Sequence, residues 1–261
     1  MLSLSFFRSY KLSDSCELKC APCELWRREN EEEYLPAEAV LAEFKQLRWE
    51  GAKLLHIYGG DPLLHPQIEI ILAGAKRLGF LIILSTPGIH YQKFPKGLQE
   101  YVDLLVLLLH HADQLEHDQI AGERSFERIL EALEYARENK VPAMLSFLLT
   151  RDNIQALPDM YALAEAHNVL AWFNPLPAAY AVEGFSADSL EHLKYYGRKK
   201  YGWSHLPAID PKHFKNLDQR QDCLIRDELW DGSFERFNLR YLMMLFSMAQ
   251  LFWKILSLKK A

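Results

Sequence analysis

Short leucine-rich or β-branched runs alternate along this chain with longer segments whose apolar positions recur every three to four residues. That rhythm predicts repeated strand and helix units around a parallel sheet. Strands are predicted at residues 4–8, 53–58, 80–85, 102–109, 141–149 and 169–173. Helices are predicted at 36–50, 67–78, 126–139 and 153–167, with a shorter one at 95–101 and another at 189–201. Pro36 suits a first-turn position and Gly51 follows the end of its helix, so the punctuation agrees with the periodicity. The run VDLLVLLL at 102–109 is apolar on both faces, as a strand buried between a barrel interior and an outer helix should be. Six units fall short of the eight that close a full barrel. The expected fold is therefore α/β: a partial (βα)6 TIM-like barrel at 1–177, a C-terminal extension of it at 178–236, and an apolar amphipathic helix at 237–261.

Composition narrows the function. Hydrophobic residues make up 49% and charged residues 25%, as in a globular chain with a sizeable core. The net charge is -5 and no long Lys/Arg run appears, so the basic footprint of a nucleic-acid binder is missing. Residues 1–11 lack the basic, apolar and small-residue regions of a secretory signal, which makes a cytoplasmic protein the expectation. As a helix, residues 237–258 would extend about 33 Å. Arg240, Ser247, Gln250, Lys254 and Ser257 fall on one side of it, and Leu245, Phe252 and Leu256 on the other. Such a helix lies in a membrane interface, or packs on the barrel or a partner protein, more naturally than it spans a bilayer. Lys259 and Lys260 would suit anionic head groups.

Of the four cysteines, Cys16, Cys20 and Cys23 crowd into eight residues, and Cys223 is far away. This is no disulfide framework; in a reducing compartment such a cluster points to metal or redox chemistry. The triad forms a CxxxCxxC directly after the first predicted strand. Three thiolates can hold one iron-sulfur cube, and with no fourth cysteine nearby one iron keeps an open position. Zinc is the rival reading, although a structural zinc wants four ligands and no second pair stands at such spacing. After the second strand comes Gly59-Gly60-Asp61-Pro62, where two missing Cβ atoms permit close backbone approach to a ligand.

Together these loops resemble those of the radical S-adenosylmethionine (SAM) superfamily, whose members carry CxxxCxΦC after the first strand and a GGEP-type loop after the second. The likeness runs over residues 3–176. It implies that Cys16, Cys20 and Cys23 ligate three irons of a [4Fe-4S] cluster while SAM chelates the fourth, with Gly59, Gly60 and Asp61 receiving the SAM amino group. Two positions depart from the family: Pro22 replaces the usual aromatic residue, and Asp61 the usual Glu. Ser85 and Thr86 resemble a Ser/Thr-Asn-Gly loop, and Arg151 and Asn153 a Thr-Arg-x-Asn segment, both of which contact SAM in the family. The stretch from His117-Asp118 through Gly122 to Phe126 resembles the family's region after strand four, with Ala121 where an Arg is common. For these weaker matches loop structure and helix capping stand as the alternative. The resemblance also implies an unidentified substrate and a one-electron donor such as a flavodoxin or ferredoxin. The alternative to an enzyme is a non-catalytic iron-sulfur or zinc-binding scaffold attached to a membrane or partner complex.

His110, His111 and Asp113 end the fourth strand. Adjacent strand residues point to opposite faces, so only one of the two histidines can face the interior and a shared metal is disfavoured. Cys223 alone cannot build a second cluster and reads as a free thiol.

Overall fold

The computed structural model of the 261-residue chain describes residues 6–23, 25–27, 34–93, 98–149 and 153–175. Six strands form one sheet in the order β1-β2-β3-β4-β5-β6. They are β1 (Phe7–Lys11), β2 (Leu54–Tyr58), β3 (Leu81–Thr86), β4 (Leu104–Leu109), β5 (Ala143–Leu149) and β6 (Leu170–Pro175). The first five pair in parallel, and helices alternate with the strands: α1 (Ala37–Trp49), α2 (Ile68–Arg77), α3 (Leu98–Tyr101), α4 (Gln114–Ala121), α5 (Phe126–Glu138) and α6 (Leu157–Ala166). This is the expected partial (βα)6 TIM-like barrel. The predicted helix at 189–201, the extension at 178–236, the helix at 237–261 and Cys223 lie outside the described residues. Among those that are described, no helix is long and apolar enough to cross a membrane.

The chain divides into two compact units, residues 1–148 with 162–173, and residues 149–161 with 174–261. In the first unit, the register aligns Tyr10, Ile57, Leu84, Leu105 and Ala143 in one row across the sheet. Tyr10 meets Phe44 of α1 edge to face at 4.9 Å, so this row is the helix-facing side. Leu55, Ile57, Ile82, Leu84 and Leu107 are completely buried there, each worth about 2 kcal/mol of apolar transfer. Helix α2 supplies Ile68, Ile71, Leu72 and Ala75 at i, i+3, i+4 and i+7, and α5 supplies Phe126, Ile129, Leu133 and Ala136. On the opposite, inner face the register aligns Ser9 with His56 and Ile83, Lys11 with Tyr58, and Leu108 with Ser146. Polar side chains therefore gather inside, toward the carboxyl ends of the strands.

Candidate functional site

The loop after β1 carries all three clustered cysteines. Leu12 extends the pairing with β2 through its N–H to the Tyr58 carbonyl at 2.7 Å, and Leu12 and Leu18 are buried as anchors. A tight turn closes with Cys23 N–H on the Cys20 carbonyl at 2.9 Å, to which Trp26 Nε1–H also donates at 3.0 Å. Cys16, Cys20 and Cys23 are half-buried free thiols that feel one another electrostatically. Burial pushes Cys16 up to about 11, against the pull of the Leu18 amide, and Cys20 up to about 12. Among the described residues no three His, Cys, Asp or Glu side chains group around a single metal ion.

The glycine loop packs directly on this segment. Gly60 N–H donates to the Ser13 carbonyl at 3.0 Å and Asp61 N–H to the Ser15 carbonyl at 2.7 Å. A Cβ on Gly59 would collide with the Ser13 backbone, and one on Gly60 with the Ser15 carbonyl. The close approach that these glycines allow is thus between two loops of the chain itself. Behind them, His65 accepts from Gln67 N–H at Nδ1 and faces the Leu35 carbonyl through Nε2, each at 3.0 Å, locking the rest of the motif.

Asp61 is completely buried. Its Oδ1 accepts from Leu63 N–H at 3.0 Å and from the Thr86 hydroxyl at 2.6 Å, and Thr86 Oγ1 in turn accepts from Gly88 N–H at 2.9 Å. Thr86 therefore orients Asp61 rather than facing the interior. His90 Nε2, from the loop after β3, lies 4.0 Å from Asp61 Oδ2 and 3.2 Å from Glu17 of the cysteine loop. Ser13 Oγ, in a residue only 8% exposed, has no hydrogen-bond partner among the described residues.

Ser85 belongs to the inner face. Its hydroxyl sits 2.7 Å from His56 Nε2, and His56 Nδ1 sits 2.8 Å from Ser9 Oγ, a relay across β1, β2 and β3. The ring stacks between Phe7 and Tyr58, and burial holds its pKa down to about 4. As a neutral imidazole it donates through one nitrogen and accepts through the other.

At the end of β4 the two histidines diverge. His110 has the inner-face parity of Val106 and Leu108, but its ring stacks on His117 at 5.6 Å and its N–H donates to His117 Nδ1 at 3.1 Å. His111 Nδ1 accepts from Asp113 N–H at 2.9 Å. Asp113 caps α4 by accepting from the amides of Leu115 and Glu116. Asp118 Oδ1 accepts from Ser125 and Phe126 N–H, both at 2.9 Å, and His117 Nε2 meets Ser125 Oγ at 3.0 Å. In this stretch the hydrogen bonds serve loop and cap structure.

Arg151 lies outside the described residues, and Asn153 is a buried residue of the second unit, its carbonyl accepting from Ala156 N–H at 3.0 Å. The structure thus brings Cys16, Cys20, Cys23, Gly59, Gly60 and Asp61 together, with Thr86 behind Asp61 and Ser85 on the adjoining inner face. Sequence reasoning missed His56, His90, Ser13 and helix α4. The signal for His56 was present: a histidine alternating with Leu55 and Ile57 must point away from the helices.

Comparison with known proteins bears on the family and the fold. The profile of the Radical SAM superfamily matches residues 10–164, more than half of the chain. A probable GTP 3',8-cyclase of Thermoplasma volcanium is 27% identical over 191 residues, covering 71% of this chain and 57% of that protein. A PqqA peptide cyclase of Streptomyces rochei is 31% identical over 160 residues, covering 59% of this chain and 43% of the relative. The chain therefore spans about half the length of the curated relatives it matches. Among solved structures, Streptococcus suis SuiB bound to its precursor peptide SuiA superposes with a TM-score of 0.63 at 16% identity, over 76% of this chain and 47% of SuiB. SuiB bound to S-adenosylmethionine gives 0.60, with 76% and 45% covered.

Proposed function

This chain belongs to the radical SAM superfamily, and from that premise we propose that it is an enzyme whose Cys16, Cys20 and Cys23 hold a [4Fe-4S] cluster with SAM beside it. The observation that carries the reading is the packing of the Gly59-Gly60-Asp61 loop on the segment that leads into the three thiols. The donor set fits the group: three mutually coupled thiols suit an iron-sulfur cluster, and buried Ser13 Oγ and Asp61 suit the polar end of an amino acid. When bound, the cluster supplies one electron that cleaves SAM to methionine and a 5′-deoxyadenosyl radical, which takes a hydrogen atom from the substrate.

The chain's own residues bind and orient. Asp61, held by Thr86 and Leu63, would receive the SAM amino group on a fixed carboxylate, and Gly59 and Gly60 keep the two loops in register. Ser85, aligned by His56, presents a hydroxyl at the barrel mouth. A flavodoxin or ferredoxin supplies the electron on this reading. The test is anaerobic reconstitution followed by iron and sulfide analysis, then incubation with SAM and dithionite. About four irons per chain and formation of 5′-deoxyadenosine are expected. One zinc per chain with no SAM cleavage would replace the enzyme by a metal-binding scaffold.

A further inference from the structure

Helix α4 ends on the cysteine loop. Its Ile120 and Ala121 carbonyls accept from the amides of Ala21 at 2.8 Å and Lys19 at 3.1 Å, the residues on either side of Cys20. Gly122 follows in the left-handed region at φ 70°, and a Cβ there would stand 2.8 Å from the Lys19 carbonyl oxygen. Apolar packing does little to place this helix, since of its eight residues His117 and Ala121 are the buried ones and Leu115 is 79% exposed. It is fixed instead by the polar ties of His117 to His110 and Ser125 and of Asp118 to the amides of Ser125 and Phe126 at the start of α5. Those ties aim its carboxyl end at the loop.

We propose that Gly122 is a positioning residue for the iron-sulfur cluster: by letting the end of α4 engage the Lys19 and Ala21 amides, it fixes the backbone around Cys20 and keeps those amides off the cluster sulfurs. The inference rests on the reading that Cys16, Cys20 and Cys23 hold the cluster. Amides that donate to thiolate or sulfide sulfur stabilise the reduced cluster and raise its potential. Here the amides of Lys19, Ala21 and Cys23 donate to carbonyl oxygen, while the Leu18 amide reaches the Cys16 thiol and the Cys20 amide its own thiol. Withholding the other donors keeps the potential low, as reductive cleavage of a sulfonium demands.

The test uses the reconstituted protein with Gly122→Ala and Gly122→Asn, beside Gly79→Ala as control. Gly79 has a comparable φ of 81°, yet a Cβ there meets no backbone and has only the Arg48 guanidinium, at 3.7 Å, as neighbour. Asn tolerates the left-handed conformation, so it brings the same Cβ to the loop even where Ala fails to fold. Expected for both Gly122 variants is about tenfold faster iron loss to a chelator, as when groups behind metal ligands are removed. The potential of the retained cluster, read by EPR-monitored redox titration, should also move upward. Gly79→Ala should match the wild type in both measures. Gly122 variants that match Gly79→Ala in iron retention and potential overturn the assignment. A wild type that takes up no iron refutes the cofactor reading itself, and this inference with it.

Discussion

Among the described residues the sheet buries one carboxylate at each end and treats the two differently. Asp103 precedes β4 at the amino ends of the strands, and its Oδ2 accepts from Lys76 Nζ at 2.6 Å and Ile82 N–H at 2.8 Å. Asp61 follows β2 at the carboxyl ends, where the donors to its Oδ1 are a neutral amide and the Thr86 hydroxyl. A charge that belongs to the fold is matched by a cation of the fold, which offsets its desolvation. Asp61 Oδ2 has His90 Nε2 at 4.0 Å where Asp103 has a lysine, and on the proposed reading the amino group of SAM supplies the cation. On the proposed reading the amino ends of the strands are the stabilising end and the carboxyl ends the chemical one, as in barrels generally.

Substitutions should separate the two ends. Replacing Cys16, Cys20 or Cys23 with Ala should abolish the charge-transfer absorption of the reconstituted cluster and all SAM cleavage, while unfolding of the iron-free protein stays near wild type. Cys223→Ala should leave absorption and cleavage intact; loss of the cluster in that variant alone would show the ligand set to be misassigned. At the other end, Asp103→Ala leaves Lys76 and the Ile82 amide without their acceptor and should cost about 2 kcal/mol in urea unfolding. Iron content per folded chain should not change.

Asp61→Asn sharpens the contrast further. The amide keeps an oxygen for Leu63 and Thr86 but removes the charge, so SAM should bind about tenfold more weakly, or about 1.4 kcal/mol, with the cluster retained. Calorimetric titration of the reconstituted protein measures it. Unchanged affinity would place the SAM amino group away from Asp61. Gly60→Val should behave differently, because its side chain meets the Ser15 carbonyl of the cysteine loop. Cluster retention should fall together with SAM affinity, and a variant that loses affinity alone would mean that the loop contact is not needed.

The chemical end was the more legible in sequence where covalent chemistry sets the pattern, and the less legible where packing does. CxxxCxxC and Gly-Gly-Asp announce themselves by residue type. The strands were legible because leucine and β-branched runs such as 102–109 have no other place to go, and β4 occupies Leu104–Leu109 within that run. The first strand was read at 4–8 but runs Phe7–Lys11, because an edge strand with Ser9 and Lys11 on its inner face carries little apolar signal. Helix α4 escaped for the same reason: QLEHDQIA has almost no apolar face, and what betrays it are its ends, Asp113 before and Gly122 after. Hydrogen bonds such as Thr86 to Asp61 join residues 25 apart and follow from no local pattern.

Between the two ends lies His56, and its titration gives the smallest predicted effect. Burial holds its pKa in the folded chain at about 4, whereas an unfolded histidine titrates near 6.5. Between those values the unfolded chain binds the extra proton, so stability is full above about pH 6.5 and declines as the pH falls toward about 4. From pH 7 to pH 6 this one group should remove about 0.7 kcal/mol from the unfolding free energy. His117, held down to about 4, and His110, held down to about 3, add slopes of the same sign, so the wild-type curve alone does not isolate His56. His56→Gln does, because the amide keeps a donor and an acceptor for Ser9 and Ser85 but does not titrate. Urea unfolding at both pH values should show the wild type losing about 0.7 kcal/mol more than the variant over this interval. Parallel losses would mean that His56 is charged in the folded chain, and the neutral relay from Ser9 to Ser85 would then be wrong.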